Sequence, residues 1–503
     1  MEKTQLQTKR NSWNSVYVAG GWRLVFPLWS FSAVTGASKG NLTLVEDAGQ
    51  AVRKEEVASE GSKITQMNEY YFLTNPVEFI HRAYPDEEKW QLISKPWTFE
   101  QFAEIPYCKQ DYHRHEINIM SDFCGILTSK DGECDVKIQG KIDTYFTYKL
   151  YFKHTESGKK ISDDLQLTRY VVVMRESGCW HFQIRFAETG VYKLEILGGG
   201  KGLAHQSLCE FKMICSEVKE NCRPVPLNPA IGFGPCIDTE RAGLKAVSHI
   251  CAKVDVRRRK ETVVSFNFLK HVTVEARLHN IDCSSADLQI YINQTISKNE
   301  VVFKVSVPKS GEYALQINTK DDEDELASDD FENACNYLLS NDKEQNAVKE
   351  VKKHVNAWKA STQEVLRMEQ TQIVPIRSVR QPKKILEDIM RATFLLLGEW
   401  EASVKDWDYI RKLLEQSGNK SVKSRISSFT IKTLRKNICK SVTALTKDHT
   451  VEDARKIGHG AATFCDWVQK AMAAKETVDT YQNYLQEGTD YESDVFLSSD
   501  EVF

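Results

Sequence analysis

The sequence lacks the segments that direct a chain into or across a membrane. Its longest apolar runs, such as FLLL at residues 394–397, are far too short for a bilayer, which requires roughly 20 apolar residues. The first ten residues, MEKTQLQTKR, contain no apolar core of a signal peptide. The thirteen cysteines are irregularly spaced, so we interpret them as reduced thiols. We therefore predict a cytoplasmic protein with no membrane partner.

Motifs for nucleotide, metal and nucleic-acid chemistry are also missing. The run GGGKG at 198–202 lacks the P-loop spacing and follows a strand pattern, so we interpret it as a turn. No cysteine or histidine pair has zinc-ligand spacing. There is no RNP pattern or zinc finger to indicate RNA or DNA binding. We therefore predict no cofactor, no metal and no nucleic-acid partner.

From about residue 69 onward, apolar side chains alternate with polar ones. The segments YFTYKLYF (145–152) and WHFQIRF (180–186) show this period of two, which indicates half-buried antiparallel strands. Many short strands separated by turns favour β-sandwiches. We predict two of them, over 69–200 and 201–319, preceded by a loop over 35–66.

At residue 320 the composition changes. KDDEDELASDDFE (320–332) contains eight acids and one lysine, so we predict an acidic linker over 320–334. Beyond it the apolar period becomes helical. Two seams with three- and four-residue steps predict an antiparallel coiled-coil hairpin over 335–487, capped by a helical bundle. We predict an acidic disordered tail over 488–503. The seams consist of Val348, Val351, Val355, Trp358, Thr362 and Val365, and of Phe464, Trp467, Ala471, Ala474, Val478, Tyr481 and Leu485.

The predicted helical cap, residues 373–470, differs in charge from the rest of the chain. It contains nineteen Lys and Arg against eleven Asp and Glu, a net charge of +8, whereas the whole chain has a net charge of −3. A basic module in an acidic chain indicates a polyanionic partner. Nucleic acid and the acidic surface of a microtubule are both candidates on charge alone.

The stretch RNSWNSVYVAGGWRLVFPLW (10–29) resembles a strand pair of the transglutaminase-like fold, through the spacing of its Trp, Val and Gly residues. Asn11 stands where that family has its catalytic His, and Phe26 where it has the Asp. The family's catalytic Cys lies upstream of the His, and no Cys precedes Asn11. Without a thiolate, a base and its orienting carboxylate, this chemistry cannot proceed. We interpret residues 1–68 as the remnant of such a domain with a linker, and predict no catalytic residues and no enzyme.

Two further stretches resemble the hillarin and kyphoscoliosis peptidase family. They are EYYFLTNPVEFIHRAYPDEEKWQLI (69–93) and CRPVPLNPAIGFGP (222–235). In that family the corresponding segments lead into immunoglobulin-like domains linked to muscle and cytoskeletal organisation. The resemblance implies that both sandwiches are immunoglobulin-like and offer a surface to an unidentified cytoskeletal protein.

Three blocks in the C-terminal part resemble the microtubule-binding head of the dynein heavy-chain stalk. They are IRSVRQPKKILEDIMRATFLLLGE (376–399), DWDYIRKLL (406–414) and FCDWVQKAMAAKETVD (464–479). The usual Pro-Pro pair is Pro382-Lys383 here, which leaves Pro382 to start the first helix. The outgoing arm of about 35 residues would reach only about 50 Å. No Walker motif accompanies the head, so a motor is not expected.

This resemblance implies a set of residues that would contact tubulin. In the family these are Lys and Arg side chains of three helices. At the corresponding positions, Arg377, Arg380, Lys383 and Lys384 enter the first helix. Another group lies in a basic helix of the middle section, and the last group precedes the closing helix. These two groups are Lys432, Arg435 and Lys436, and Arg455 and Lys456.

We therefore predict a non-catalytic, cytoskeleton-associated adaptor that binds microtubules (tubulin). One alternative is a structural crosslinker whose helical head no longer binds microtubules. Another is a relic transglutaminase or cysteine protease that uses a different thiol, such as Cys108. A third is that residues 1–30 are the truncated end of a longer gene product.

Overall fold

The computed structural model describes residues 10–154, 169–176, 178–220, 222–258, 260–321 and 330–485. The chain divides into two compact units, Met1–Ser340 and Asn341–Phe503. We call them the β unit and the helical unit and describe each by itself.

The β unit begins with the strand pair that the sequence predicts. Strands β1 (Asn14–Val18) and β2 (Gly21–Val25) are antiparallel, with Val18 opposite Gly21. Ala19 and Gly20 both have positive φ, 51° and 78°, as a two-residue hairpin turn requires. Helix α1 (Pro27–Phe31) follows.

The predicted loop over 35–66 is wrong, because this stretch forms strands. Two of them make a hairpin that joins a sheet of the first sandwich. On the inner strand of that hairpin Thr43, Val45 and Glu46 are buried, whereas no residue of the outer strand is. The alternation of buried and exposed residues on the inner strand is therefore short, and the carboxylate of Glu46 interrupts it. For this reason the sequence pattern does not reveal the strand. The strands are β3 (Ala33–Thr35), β4 (Leu42–Asp47), β5 (Gln50–Glu55) and β6 (Ser62–Ile64).

The first sandwich packs two sheets face to face around one apolar core. The helices of this part are α2 (Pro76–Phe79), α3 (Phe99–Glu104) and α4 (Gln110–Arg114). Its further strands are β7 (Tyr107–Cys108), β8 (Asn118–Ile119), β9 (Ile126–Thr128), β10 (Glu133–Gln139), β11 (Tyr145–Lys153), β12 (Val171–Glu176), β13 (Cys179–Arg185), β14 (Gly190–Gly199) and β15 (Gln206–Cys215).

One sheet has the order β12-β13-β10-β8, and the other β5-β4-β11-β14-β15-β7, with β9 pairing parallel to β15. The alternation read from the sequence is confirmed on β11 and β13. Phe146, Tyr148, Leu150 and Phe152 bury their side chains on β11. Trp180, Phe182 and Ile184 do so on β13.

The second sandwich has the same two-sheet construction around its own core. Its sheets have the orders β16-β18-β21-β20 and β17-β23-β22-β19. The elements are α5 (Ile237–Arg241), β16 (Leu244–Ala246), β17 (Lys253–Asp255), β18 (Thr262–Phe268), β19 (Val272–His279), α6 (Ser285–Leu288), β20 (Ile292–Ile296), β21 (Glu300–Val305), β22 (Glu312–Asp321) and β23 (Glu332–Ser340).

The acidic linker predicted over 320–334, with a coiled coil beginning at 335, is wrong at both ends. β22 continues to Asp321 and β23 begins at Glu332, and the two strands pair with Thr319 opposite Glu332. The middle of the acidic stretch, 322–329, lies outside the described residues. Residues 334–339 of β23 are all buried. The strands on either side of the acidic stretch therefore pair with each other, and the residues after it form a central strand that buries Asn336 among apolar side chains.

The helical unit consists of helices around a single apolar core. Its two long helices, the first and the last, pack against each other in opposite directions. Trp467 Nε1 donates a hydrogen bond to Thr362 Oγ1 at 3.1 Å, while Gly460, earlier in the last helix, lies against Gln372 in the helix that follows the first one. The helices are α7 (Asp342–Arg367), α8 (Gln370–Ser378), α9 (Lys384–Leu396), α10 (Trp407–Glu415), α11 (Val422–Ser427), α12 (Lys436–Thr446), α13 (Val451–Arg455) and α14 (His459–Thr480).

The two predicted seams lie mostly in this core. On α14 every seam residue from Phe464 to Val478 is buried. On α7, Val348 and Thr362 are only half-buried, and the small residues Ala347 and Ser361 are buried next to them. The buried stripe therefore drifts around α7, as the 3.6-residue turn of a straight helix requires. An extended coiled-coil hairpin remains a prediction.

Candidate functional site

The first basic group lies where α8 passes into α9. Arg377 is in the last turn of α8 and is half-buried, whereas Arg380 and Lys383 are exposed. Helix α10 holds this connection: Trp407 Nε1 donates to the Val379 carbonyl at 2.8 Å, and Arg411 Nε donates to the Arg377 carbonyl at 2.9 Å. One neutral donor, the Trp407 indole, and one charged donor, the Arg411 guanidinium, thus hold the backbone from which the basic side chains project.

Lys384, the first residue of α9, has an internal partner. Its Nζ lies 2.9 Å from Oδ1 of Asp388, one helical turn further on. Asp388 is buried, and its other oxygen lies 3.1 Å from Nε2 of His449. Arg391 Nη1 lies 3.8 Å from the same carboxylate. Sequence reasoning missed this network, although the four-residue spacing of Lys384 and Asp388 is a recognised signal for an ion pair on a helix.

The helix α9 itself begins slightly later than the sequence predicts. Lys383 is its N-cap and Lys384 its first residue, so Pro382 precedes the cap and does not start the helix. Proline restricts the residue before it to extended conformations, which accounts for the break between α8 and α9. Lys383 and Lys384 therefore sit together at the start of the helix.

The sequence predicts that the second basic group lies within one helix, but only one of its three residues does. Lys432 is in a short 3₁₀ turn (Ile431–Thr433), Arg435 is the N-cap of α12, and only Lys436 is helical. All three are exposed. The first turn of α12 contains no acid. Cations at this end oppose the helix dipole, which favours anions there.

The third group, Arg455 and Lys456, is placed where a helix favours cations. Arg455 ends α13 and Lys456 is its C-cap, and both are exposed. Lys456 Nζ also lies 2.7 Å from Asp453 Oδ1. Helix stability alone accounts for positive charge here. These two are the weaker candidates for contacts with a partner.

The structure brings some of the predicted residues together and separates others. Helices α9 and α12 pack in opposite directions. Ser441 donates to Glu401 at 3.1 Å beyond the end of α9, whereas His449 meets Asp388 near its start. The 13 residues of α9 rise about 20 Å. The first basic group and the second therefore lie at opposite ends of α9.

The positions that resemble a transglutaminase-like site do not form one. Phe26 is fully buried and its ring lies 4.2 Å from that of Trp29, within a cluster that includes Tyr71 and Phe79. Asn11 is exposed. The alternative thiol, Cys108, is also buried, and desolvation raises its pKa to about 12. Such a thiol is protonated near neutral pH, and the thiolate is the nucleophile.

Two further properties bear on function. Among the residues that the structure describes, no group of three or more His, Cys, Asp or Glu side chains could hold a metal ion. Over the same ranges, none of the helices is both long enough and apolar enough to cross a bilayer.

Comparison with known proteins first defines the class of the β unit. Residues 99–226 and 241–352 match the family model for the KY-like, immunoglobulin-like domain. The first range contains β7 to β15 and the second contains β16 to β23. The β unit therefore carries two immunoglobulin-like sandwich domains of this type, followed by a helical region.

Individual relatives agree with this class. The chain is 26% identical to hillarin of Drosophila melanogaster over 329 residues, which are 62% of this chain and 38% of hillarin. It is 25% identical to kyphoscoliosis peptidase of Mus musculus over 333 residues, 65% of this chain and 44% of that protein. The chain thus spans less than half the length of these relatives. The predicted resemblance to this family is confirmed.

The second resemblance has less support. Cytoplasmic dynein 2 heavy chain 1 of Caenorhabditis elegans is 34% identical over 98 residues, which are 19% of this chain and 2% of that protein. This match is short. A dynein-stalk-like head therefore remains a prediction.

Proposed function

We propose that the chain is a non-catalytic cytoskeletal adaptor that binds microtubules through the helical unit and another protein through its immunoglobulin-like domains. The observation that carries the proposal is the placement of Arg435 and Lys436 at the positive end of α12, with no acid in its first turn. Charges in that position cost helix stability. Their presence is accounted for if they face an anionic partner.

Charge on a larger scale supports the same partner. The segment 373–470 has a net charge of +8 in a chain of −3. The surface of a microtubule is acidic, so the potentials are complementary. Arg380 and Lys383, at the other end of α9, are also exposed. The proposed microtubule contacts therefore form two basic groups about 20 Å apart.

The immunoglobulin-like domains support the adaptor part of the proposal. Such sandwiches occur in many proteins as interaction domains, but the fold alone does not identify a partner. The similarity to hillarin and to kyphoscoliosis peptidase makes a cytoskeletal protein the first candidate. The name of the second relative keeps a peptidase as the rival, and the buried, protonated Cys108 argues against it.

The test is co-sedimentation of the whole chain with taxol-stabilised microtubules. Arg377, Arg380, Lys383 and Lys384 are changed together to Glu, which replaces attraction with repulsion. We expect the parent to pellet at low salt and to dissociate as exposed charges are screened, over a Debye length of about 8 Å at physiological ionic strength. The fourfold variant should remain in the supernatant with an unchanged helical circular dichroism spectrum.

The control makes the same change of charge elsewhere. Lys63, Lys95, Lys245 and Lys298 are exposed residues of the β unit, and changing them to Glu should leave pelleting as it is in the parent. If the first variant also pellets like the parent, the assigned contacts are wrong. If the parent itself does not pellet at low salt, the helical unit is a module for another partner and the chain is a structural crosslinker.

A further inference from the structure

The first sandwich contributes most of the wall of a cavity in the β unit. Its volume is about 160 Å³. The walls come from the turn between β10 and β11, from the hairpin of β12 and β13, and from the segment that leads into α5. The side chains that matter to the argument are Lys141, Ile142, Arg175, Trp180, Cys236 and Ile237.

Arg175 is the unusual residue of this wall. It lies on β12 and is only 7% exposed. Its guanidinium lies 4.0 Å above the ring of Trp180. Within the described part of the chain, neither its Nε nor its Nη1 makes a hydrogen bond. Buried polar atoms are nearly always hydrogen-bonded, and leaving them unpaired is costly, more so for a charged group.

The carboxylate nearest to Arg175 is already engaged. Oδ2 of Asp238 lies 3.8 Å from Nη1, which is an ion pair without a hydrogen bond. Oδ1 of Asp238 accepts a hydrogen bond from the Tyr145 hydroxyl and lies 3.6 Å from Lys201 Nζ. Oδ2 also receives the thiol of Cys236 at 3.7 Å. Asp238 therefore divides its charge among several partners and leaves the guanidinium undersatisfied.

The other charges near the cavity do not compensate Arg175. Lys141 stands at its rim and pairs with Glu116 at 2.9 Å, and Arg241 pairs with Asp143 at 2.6 Å. Both pairs are exposed, and each consists of one cation and one anion, so neither supplies a spare negative charge to Arg175. Among the described residues Asp238 is thus the carboxylate that Arg175 meets, at 3.8 Å and without a hydrogen bond.

We propose that this cavity binds a small oxyanion, the carboxylate or phosphate group of a ligand, through Arg175. Guanidinium groups form their strongest hydrogen bonds with carboxylate and phosphate oxygens. The cavity volume of about 160 Å³ is several times the roughly 30 Å³ that one water occupies in the liquid. The cavity therefore has room for a carboxylate or phosphate group. Ile142 and Ile237 supply apolar walls for the remainder of the ligand. This site is independent of the proposed microtubule contacts.

The experiment is isothermal titration calorimetry on the whole chain at constant ionic strength, with sodium phosphate and sodium acetate as probes and sodium chloride as the reference. We expect saturable binding of phosphate, acetate or both, with chloride giving none. Binding of phosphate alone assigns the site to a phosphate-bearing ligand, and comparable binding of acetate assigns it to a carboxylate-bearing one. Arg175→Gln should weaken binding at least about tenfold, since a hydrogen bond to a charged group is lost.

Because Arg175 packs on Trp180, its replacement could disturb folding, and a second variant keeps the test decisive. Ile142 is 67% exposed at the cavity, and Ile142→Trp should fill the entrance and weaken binding without removing a buried group. Lys245→Gln, which removes an exposed charge elsewhere, should bind like the parent. No saturable binding of either probe, or binding by the Ile142→Trp chain as tight as the parent's, would overturn the proposal.

Discussion

At the scale of single residues, Glu46 is a carboxylate that is buried in the core of the β unit. It lies on β4 and is 1% exposed. Its oxygens accept hydrogen bonds from the Tyr148 hydroxyl at 2.5 Å and from the Tyr170 backbone N–H at 3.1 Å. Burial raises the pKa of Glu46 to about 7, and these hydrogen bonds offset only part of that effect. Glu46 therefore links the β4–β5 hairpin to the sandwich, and below about pH 7 it does so mainly in its protonated form.

This shift predicts a dependence of stability on pH. Between the ordinary pKa of 4.5 and the folded pKa of about 7, the folded chain keeps a proton that the unfolded chain has lost. The free energy of unfolding should therefore fall as pH rises through that window and level off above it, by about 3 kcal/mol in all. Urea denaturation at pH 5, 6 and 8, followed by the β-sheet circular dichroism signal, measures the fall.

The matched variants are Glu46→Gln and Glu60→Gln. Glu60 is exposed, so its variant should show the parent's dependence on pH. The Glu46→Gln chain should lose most of that dependence, whatever its stability at any single pH. An equal fall in both variants would show that other groups cause the effect.

At the scale of elements, α12 and α13 use positive charge in opposite ways. Arg435 and Lys436 stand at the start of α12, where the dipole disfavours them, and Arg455 and Lys456 stand at the end of α13, where it favours them. Equal charge reversals at the two places should therefore have opposite effects on stability. This separates residues kept for folding from residues kept for binding.

The paired variants are Arg435→Glu with Lys436→Glu, and Arg455→Glu with Lys456→Glu. The first should raise the free energy of unfolding by about 1 kcal/mol and weaken microtubule pelleting. The second should lower that free energy, since it also places a carboxylate beside Asp453. Thermal unfolding and co-sedimentation are measured on the same preparations. If the α12 variant is more stable and still pellets like the parent, the charges at this end are not contacts.

Element boundaries also show what sequence patterns can reveal. The strands β11 and β13 were predictable because one face meets the core and the other faces outward, which makes side chains alternate. The hairpin of β4 and β5 was not, because β5 is an exposed edge strand with no buried residue. β23 was missed because it follows directly on the acidic stretch and because the buried Asn336 interrupts its apolar residues.

At the scale of the whole molecule, the relatives raise the question of catalysis. Phe26 fills an aromatic core and Cys108 is a buried thiol with a pKa of about 12. We predict that the chain neither transfers amines to protein glutamine nor cleaves casein. Incubation with a fluorescent amine donor and casein should give no labelling or fragments above a control without protein. Labelling that alkylation of the thiols abolishes would contradict this.

The sequence by itself determined the order and type of the main elements and where basic residues accumulate. Periods of two and of 3.6 residues are local properties, and a strand or helix with one buried face must show them. The same holds for the resemblance to the hillarin and kyphoscoliosis peptidase family, which rests on short contiguous motifs. The predicted sandwiches and helices followed from these patterns.

Only the tertiary structure decided which charges are already satisfied. Tyr148 meets Glu46 across 102 residues and His449 meets Asp388 across 61. Lys384 thereby pairs with the buried Asp388, although its own side chain is exposed like those of Arg380 and Lys383. The same is true of Arg175, whose Nε and Nη1 make no hydrogen bond among the described residues, because Tyr145, Lys201 and Cys236 already engage Asp238. Hydrogen bonds act over about 3 Å, and folding alone brings residues so distant in sequence within that range.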